Sequence, residues 1–180
     1  MELTIPIFGI IIIIINIIMF FVPGTWKYKI IVYKQNFNWK KWYTLFTYGF
    51  LHNNIKHLTF NMIFGGGLLL ILNSLFNWWF IAIIYLLGII LGGLFSVLFE
   101  KSNLLITSGA SGGIYALMSS SIILFITMYS ISWLFIAAAL VMLILTIYQT
   151  IHSFKSSKIN EWGHVGGLIA GLFTILGVII

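Results

Sequence analysis

Two residues suited to nucleophilic catalysis each begin an apolar segment. Ser111 lies in "GASGGIYAL" at 109–117, and His164 lies in "GHVGGLIAG" at 163–171. An imidazole that takes the proton of a serine hydroxyl makes it a nucleophile when the two side chains come within about 2.6–3.2 Å. Each residue also has a structural explanation, since serine lets helices pack closely and histidine suits a membrane interface. The question is whether the chain brings the two together.

Glycine spacing favours a close approach of these two segments. Gly167 and Gly171 follow His164 by three and seven residues, so all three lie on one face of a helix. On the other segment, Gly112 follows Ser111 directly. Small residues on facing helices let the backbones approach, as a short serine side chain requires. Tyr115 lies one turn after Ser111 on the same face, where its ring can orient the imidazole.

Candidate donors for an oxyanion occur in "FLHNNIKHLTFNM" at 50–62. His57 and Asn61 are four residues apart, so they share one helix face, and both side chains can donate hydrogen bonds. The backbone N–H of Ser111, at a helix N-terminus, is a third donor. A polar clamp between helices explains His57 and Asn61 equally well. His52 falls on a different face from His57, and we interpret it as part of a loop.

The acidic residues and metal ligands of the chain do not favour a Ser–His–carboxylate triad or a metal site. The chain has no Asp and no Cys, and its acids are Glu2, Glu100 and Glu161. Glu161 comes about one turn before His164 and is poorly placed to hold its ring, so a catalytic site here is a Ser–His dyad. No HExxH motif occurs, and we predict neither a metal nor a cofactor.

Membrane-spanning helices must position these residues. The 180-residue chain is 61% hydrophobic and 7% charged, which is too apolar for a soluble fold of this size. A spanning helix needs about 20 mostly apolar residues. We predict an all-α integral membrane domain over residues 1–180 with six spans, near 5–22, 57–73, 78–99, 111–129, 132–150 and 162–180. The second, fourth and sixth spans then begin at one face, so the polar residues above share one depth.

The basic residues indicate a lipid surface. All nine are Lys, and most lie among aromatic residues in the connection 23–56. Mixed lysine and aromatic side chains suit the headgroup region, so we predict contact with membrane lipids, anionic ones included, and no nucleic-acid partner. The positive-inside rule by itself places this face in the cytoplasm. Glycines at 65–67 and 92–93 are interpreted as close-packing residues, because neither run has the context of a phosphate loop.

In the motifs at 50–62, 109–117 and 163–171 the chain resembles the rhomboid intramembrane serine proteases. The resemblance covers about Tyr43 to Gly171 and implies the six-helix rhomboid bundle. It implies that Ser111, in a GxSG motif with Gly109 and Gly112, is the nucleophile and that His164 is the general base. It also implies that His57 and Asn61 serve the oxyanion and that Tyr115 packs against His164.

The implied activity is hydrolysis of peptide bonds in or near transmembrane segments of other membrane proteins. The resemblance also implies a bacterial-type plasma membrane with the active site towards the outer face. The positive-inside rule predicts the opposite orientation. The chain departs from the family pattern at Tyr43-Thr44, at Asn73 and at Gly163, where members often carry Trp-Arg, Glu and Ala. The alternative is a non-catalytic rhomboid-like protein that binds transmembrane helices in quality control. A small transporter is a third alternative, but it would spread its polar residues through the midplane of the bilayer, whereas here they lie near one face.

Overall fold

Apolar runs between polar breaks fold into helices, which confirms the all-helical fold class. A computed structural model of the chain describes residues 5–35, 37–102, 106–127, 137, 140–141, 143–148, 151 and 160–179. Its helices are α1 (Ile7–Phe20), α2 (Gly24–Ile30), α3 (Thr44–Thr47), α4 (Ile55–Leu75), α5 (Trp78–Phe99), α6 (Ser111–Thr127) and α7 (Glu161–Ile179). The described residues between 137 and 151 are helical as well.

The helix bounds follow five of the predicted spans within a few residues. Two helices, α4 and α5, are long and apolar enough to cross a bilayer, whereas α1 and the apolar part of α6, Ser111–Leu124, are shorter. Most of the predicted span 132–150 and of the connection 151–161 lies outside the described residues. The count of six spans therefore stays a prediction.

Glycines allow α5 to pack against both α6 and α7. A methyl group on Gly88 would lie 2.5 Å from the Ala116 Cβ, and one on Gly92 would lie 2.7 Å from the Gly163 carbonyl oxygen. A methyl on Gly93 would lie 2.7 Å from the ring of Tyr48. Only a residue without a side chain allows approaches this short, so the prediction that 92–93 is a close-packing element is confirmed.

Helix α4 changes its winding at one of the candidate site residues. The Asn54 side chain caps its start by accepting a hydrogen bond from the His57 N–H at 2.9 Å. The helix then winds as a π-helix over Asn61–Gly66 before it returns to α geometry. Within that segment, a methyl on Gly65 would overlap Ile114 of α6. Wider π turns commonly occur at functional sites, and this one begins at Asn61.

The connection between α1 and α4 has an exposed part and a buried part. Trp26, Trp39 and Trp42 are 60%, 70% and 65% exposed. Tyr48, in contrast, is buried, and its hydroxyl donates to the Ile89 carbonyl of α5 at 2.8 Å. Its own carbonyl accepts from the Gly109 N–H at 3.1 Å. The connection therefore also holds the loop before α6.

Candidate functional site

The faces of α6 and α7 that carry Ser111 and His164 are in direct backbone contact. A methyl group on Gly167 would overlap the carbonyl oxygen of Gly112, and one on Gly171 would overlap the carbonyl oxygen of Ala116. These contacts lie about one and two turns after His164 along α7. The glycine spacing read from the sequence thus corresponds to a tight helix pair, with Ser111 and His164 at its upper end.

A cavity of about 560 Å³ lies where the first turns of α4, α6 and α7 meet. The predicted site residues that line it are Ser111, His164, His57, Asn61, Tyr115 and Gly112. Residues more than a hundred positions apart in the sequence therefore face one space. The remaining predicted residues support its walls, since Gly109 lies against His57 and the other two glycines hold α6 to α7.

The imidazole of His164 lies flat on the ring of Tyr115. The two ring centroids are 4.2 Å apart and the ring planes differ by 7°. Tyr115 is itself buried in α6, so the surface on which the imidazole rests is fixed. Within the described part of the chain, His164 Nδ1 is buried without a hydrogen-bond partner. A phenol ring, in place of the carboxylate of a triad, holds this imidazole.

Gly109 brings the loop before α6 against the polar face of α4. Its φ is +108°, a conformation that residues with a side chain rarely adopt. A methyl group there would lie 2.7 Å from His57 Nε2 and 3.3 Å from Asn61 Nδ2. Ser111 follows two residues later as the first residue of α6. The loop that leads into the candidate nucleophile is consequently in contact with the candidate oxyanion donors.

His52 belongs to this group, which the sequence interpretation missed. It lies in a loop as expected, but it is fully buried, and its Nε2 is 2.9 Å from Asn61 Nδ2. Burial above all, and then the nearby charges of His57 and Lys27, lowers the pKa of His52 to about 3. The ring is therefore neutral near pH 7, and its Nε2 accepts from the Asn61 amide. Helical spacing gave no signal for His52, because it lies before the start of α4 and periodicity relates only residues within one helix.

Two further residues of the cavity wall were not predicted from the sequence. Asn160 and Thr107 both line the cavity and are joined by a hydrogen bond of 2.6 Å between their side chains. Asn160 immediately precedes α7 and is followed by an acid, which is a recognisable start signal for a helix. Nothing in the sequence pattern indicated its partner.

The family model of the rhomboid domain matches residues 39–179, which include every residue of this cavity. The chain belongs to the rhomboid family. A curated relative, the inactive rhomboid-related protein 2 of Caenorhabditis elegans, is 30% identical over 141 residues. The match covers 73% of this chain and 39% of that protein. Rhomboid proteins are membrane proteins, usually serine proteases, and this rhomboid chain accordingly has two helices apolar and long enough to span a bilayer.

Positions at which this rhomboid chain departs from the family pattern have local explanations. Asn73 accepts a hydrogen bond from the Gly9 N–H at 3.2 Å, which joins α4 to α1. Thr44 is buried, and its hydroxyl donates to the Lys41 carbonyl at 2.7 Å. A methyl on Gly163 would lie 3.2 Å from Ser96 Oγ, so an alanine needs only a small shift. Of these residues only Gly163 lines the cavity.

Proposed function

We propose that this rhomboid protein is an intramembrane serine endopeptidase that works through a Ser111–His164 dyad. The observation that carries the proposal is the cavity that Ser111 and His164 both line, in which the His164 imidazole stacks on the Tyr115 ring. Both residue types that the chemistry needs are intact, and the glycine contacts between α6 and α7 hold their helices at short range. No metal or cofactor enters the proposed reaction.

The mechanism begins with proton transfer. His164 takes the hydroxyl proton of Ser111, and the resulting alkoxide attacks the carbonyl carbon of the substrate peptide bond. The tetrahedral oxyanion accepts hydrogen bonds from His57, Asn61 and the Ser111 N–H. His164 then gives its proton to the leaving amine. Water, deprotonated by the same imidazole, then attacks the acyl-enzyme. His164 returns that proton to the Ser111 oxygen as the second product leaves.

The proposed substrates are transmembrane segments of other membrane proteins. Apolar side chains line the cavity towards α4 and towards the helical residues near 145, including Phe60, Phe64, Leu68 and Leu145. A spanning helix bonds its backbone internally, so its peptide carbonyl reaches Ser111 only after local unwinding. Segments weakened by Gly or Pro near the membrane surface should therefore be cut fastest.

The proposed location is a bacterial-type plasma membrane, crossed six times, with the cavity opening towards the outer face. Membrane lipids are the second proposed partner, at the exposed part of the connection between α1 and α4. There Lys29 lies 4.7 Å above the ring of Trp26, and Lys40 accompanies Trp39. Lysine and aromatic side chains together suit anionic headgroups. Such headgroups attract lysines at an outer leaflet as well as at an inner one.

The second candidate function is binding of transmembrane helices without cleavage, as in membrane-protein quality control. The observation in its favour is the name of the Caenorhabditis elegans relative, which describes that protein as inactive. Against it stand Ser111, His164 and the ring contact of Tyr115, since a binding protein has no need of a stacked imidazole beside a serine. The same cavity serves either function, so cleavage decides between them.

The test is incubation of the purified protein in detergent with a model transmembrane substrate. We expect wild type to cleave it and Ser111→Ala not to. Ser121→Ala is a matched control, because Ser121 is buried in the same helix and its hydroxyl donates to the Met118 carbonyl at 2.9 Å. A serine-reactive fluorophosphonate should label wild type and not His164→Ala. Cleavage by Ser111→Ala would refute the nucleophile, and binding without cleavage across varied substrates would favour the second function.

A further inference from the structure

Asn160 joins the loop before Ser111 to the helix that carries His164. We infer that Asn160 is a positioning residue whose side chain, bonded to both Thr107 and Gly163, fixes where the imidazole of His164 stands relative to the Ser111 hydroxyl. The expected effect on kcat rests on the proposed function. The bridge between Asn160 and Thr107 rests on the hydrogen bonds alone.

The two halves of the Asn160 side chain serve different elements. Its Oδ1 accepts from the Gly163 N–H at 3.1 Å and so caps the first turn of α7, one residue before His164. Its Nδ2 donates to Thr107 Oγ1 at 2.6 Å. Thr107 stands four residues before Ser111, and Asn160 stands four residues before His164. The bridge therefore links equivalent points ahead of the two proposed catalytic residues.

Thr107 is a fixed point for this bridge. It is buried, with 6% of its surface exposed, and its N–H donates to the Val32 carbonyl at 3.0 Å. Two residues later, the Gly109 N–H donates to Tyr48. The loop is thus bonded at both positions to the connection between α1 and α4. A helix start tied to this loop cannot shift without breaking the bond to Thr107.

A bond at this place affects the rate because the dyad depends on a short distance. The glycine contacts that hold α7 to α6 begin at Gly167, one turn below His164. The first turn of α7 packs on α5 at Gly92, and Asn160 joins it to the loop before α6. A displacement of about 1 Å at a catalytic group can cost about a hundredfold in rate. Loss of the bridge should consequently lower kcat more than it raises KM.

Four variants separate the bridge from the helix cap. Asn160→Ser keeps a good capping residue but is too short to reach Thr107. Thr107→Val removes the acceptor and leaves Asn160 as it is. Thr107→Ser keeps the hydroxyl, and the double variant of Asn160→Ser with Thr107→Val tests whether the two changes remove one interaction. Thr174→Val is the matched control, because the Thr174 hydroxyl donates to the Ala170 carbonyl within α7.

We expect Asn160→Ser and Thr107→Val each to lower kcat about tenfold with KM changed less than about twofold. The double variant should be no slower than either single variant, Thr107→Ser should recover most of the rate, and Thr174→Val should equal wild type. Wild-type kcat in Asn160→Ser, or additive losses in the double variant, would overturn the inference.

Hydrogen exchange followed by mass spectrometry tests the bridge without any need for activity. In Thr107→Val, amides of the peptide that spans 160–164 should exchange faster than in wild type, and in Thr174→Val they should not. Unchanged exchange at 160–164 in Thr107→Val would refute the bridge even if the enzyme cleaves. Faster exchange in Thr107→Val, together with a wild-type protein that cleaves no substrate, would instead refute the proposed function and leave the bridge standing.

Discussion

His164 and Tyr115 form a parallel ring stack across the interface of α6 and α7, with centroids 4.2 Å apart and planes 7° apart. One partner is the proposed general base, and the other lies one turn after the proposed nucleophile. The stack fixes the plane of the imidazole, while the position of its ring along α7 depends on the turn that carries it.

Removal of the ring at position 115 should uncouple the imidazole from α6. We expect Tyr115→Leu to lower kcat by about a hundredfold, because an imidazole free to rotate leaves the productive geometry. Tyr115→Phe keeps the aromatic face, and we expect it to retain most of the activity. Rates of cleavage and of fluorophosphonate labelling provide the measurement. Equal losses in the two variants would show that the stack has no orienting role.

The glycine contacts between α6 and α7 should be intolerant of a single methyl group. Gly167→Ala drives a methyl into the Gly112 carbonyl, and we expect it to destabilise the protein by about 1–3 kcal/mol and to reduce cleavage. Gly177→Ala is the control on the same helix, since a methyl there meets no atom within 4 Å. Alanine is the better helix former, so this variant should be as stable as wild type or more so. Thermal unfolding in detergent compares the two, and similar losses would argue against close packing at Gly167.

A side chain at position 109 should damage the site while the helices stay intact. Gly109→Ala must accept a φ of +108° and a methyl 2.5 Å from His57 Cε1. We expect at least about a tenfold loss of cleavage, from strain of about 1–3 kcal/mol and displacement of His57. Gly24→Ala, where a methyl meets no atom within 4 Å, should leave the rate unchanged. Circular dichroism should be the same for both variants and wild type, and full cleavage by Gly109→Ala would contradict this account of the loop.

His52 should make the fold sensitive to acid. Its pKa is about 3 in the folded chain, against an ordinary value of 6.5, so between these values the unfolded chain binds a proton that the folded chain does not. The free energy of unfolding must then fall as the pH falls below about 6.5, by about 2 kcal/mol at pH 5 for one such group.

His52→Gln tests this directly, because glutamine can accept from Asn61 but does not titrate. We expect the unfolding temperature of wild type to drop more between pH 7.5 and pH 5 than that of His52→Gln. At pH 7.5 the two should be close, as the hydrogen bond to Asn61 is retained in both. An identical pH dependence in the two proteins would mean that His52 is not the buried group that titrates.

The sequence by itself determined the class of fold and the chemistry available to it. A chain that is 61% hydrophobic and broken at polar residues predicts apolar helices, and their bounds agree with the structure because local hydrophobicity sets them. Residue type and helical spacing also determined the candidates Ser111, His164, His57 and Asn61. The glycines at three and seven residues after His164 indicated a close helix contact, since periodicity fixes which residues share a face.

The tertiary structure decided which of these residues meet and what holds them. Helical spacing relates residues within one element, so it could not pair Asn160 with Thr107 or Asn61 with His52, which approach from separate elements. Tyr48 is buried and bonds both α5 and the loop at Gly109. The sequence did not indicate this role, because the composition of the connection that contains Tyr48 indicated only a lipid interface. Such contacts arise from the packing of elements against one another, and that packing is set by the whole chain rather than by any one stretch of it.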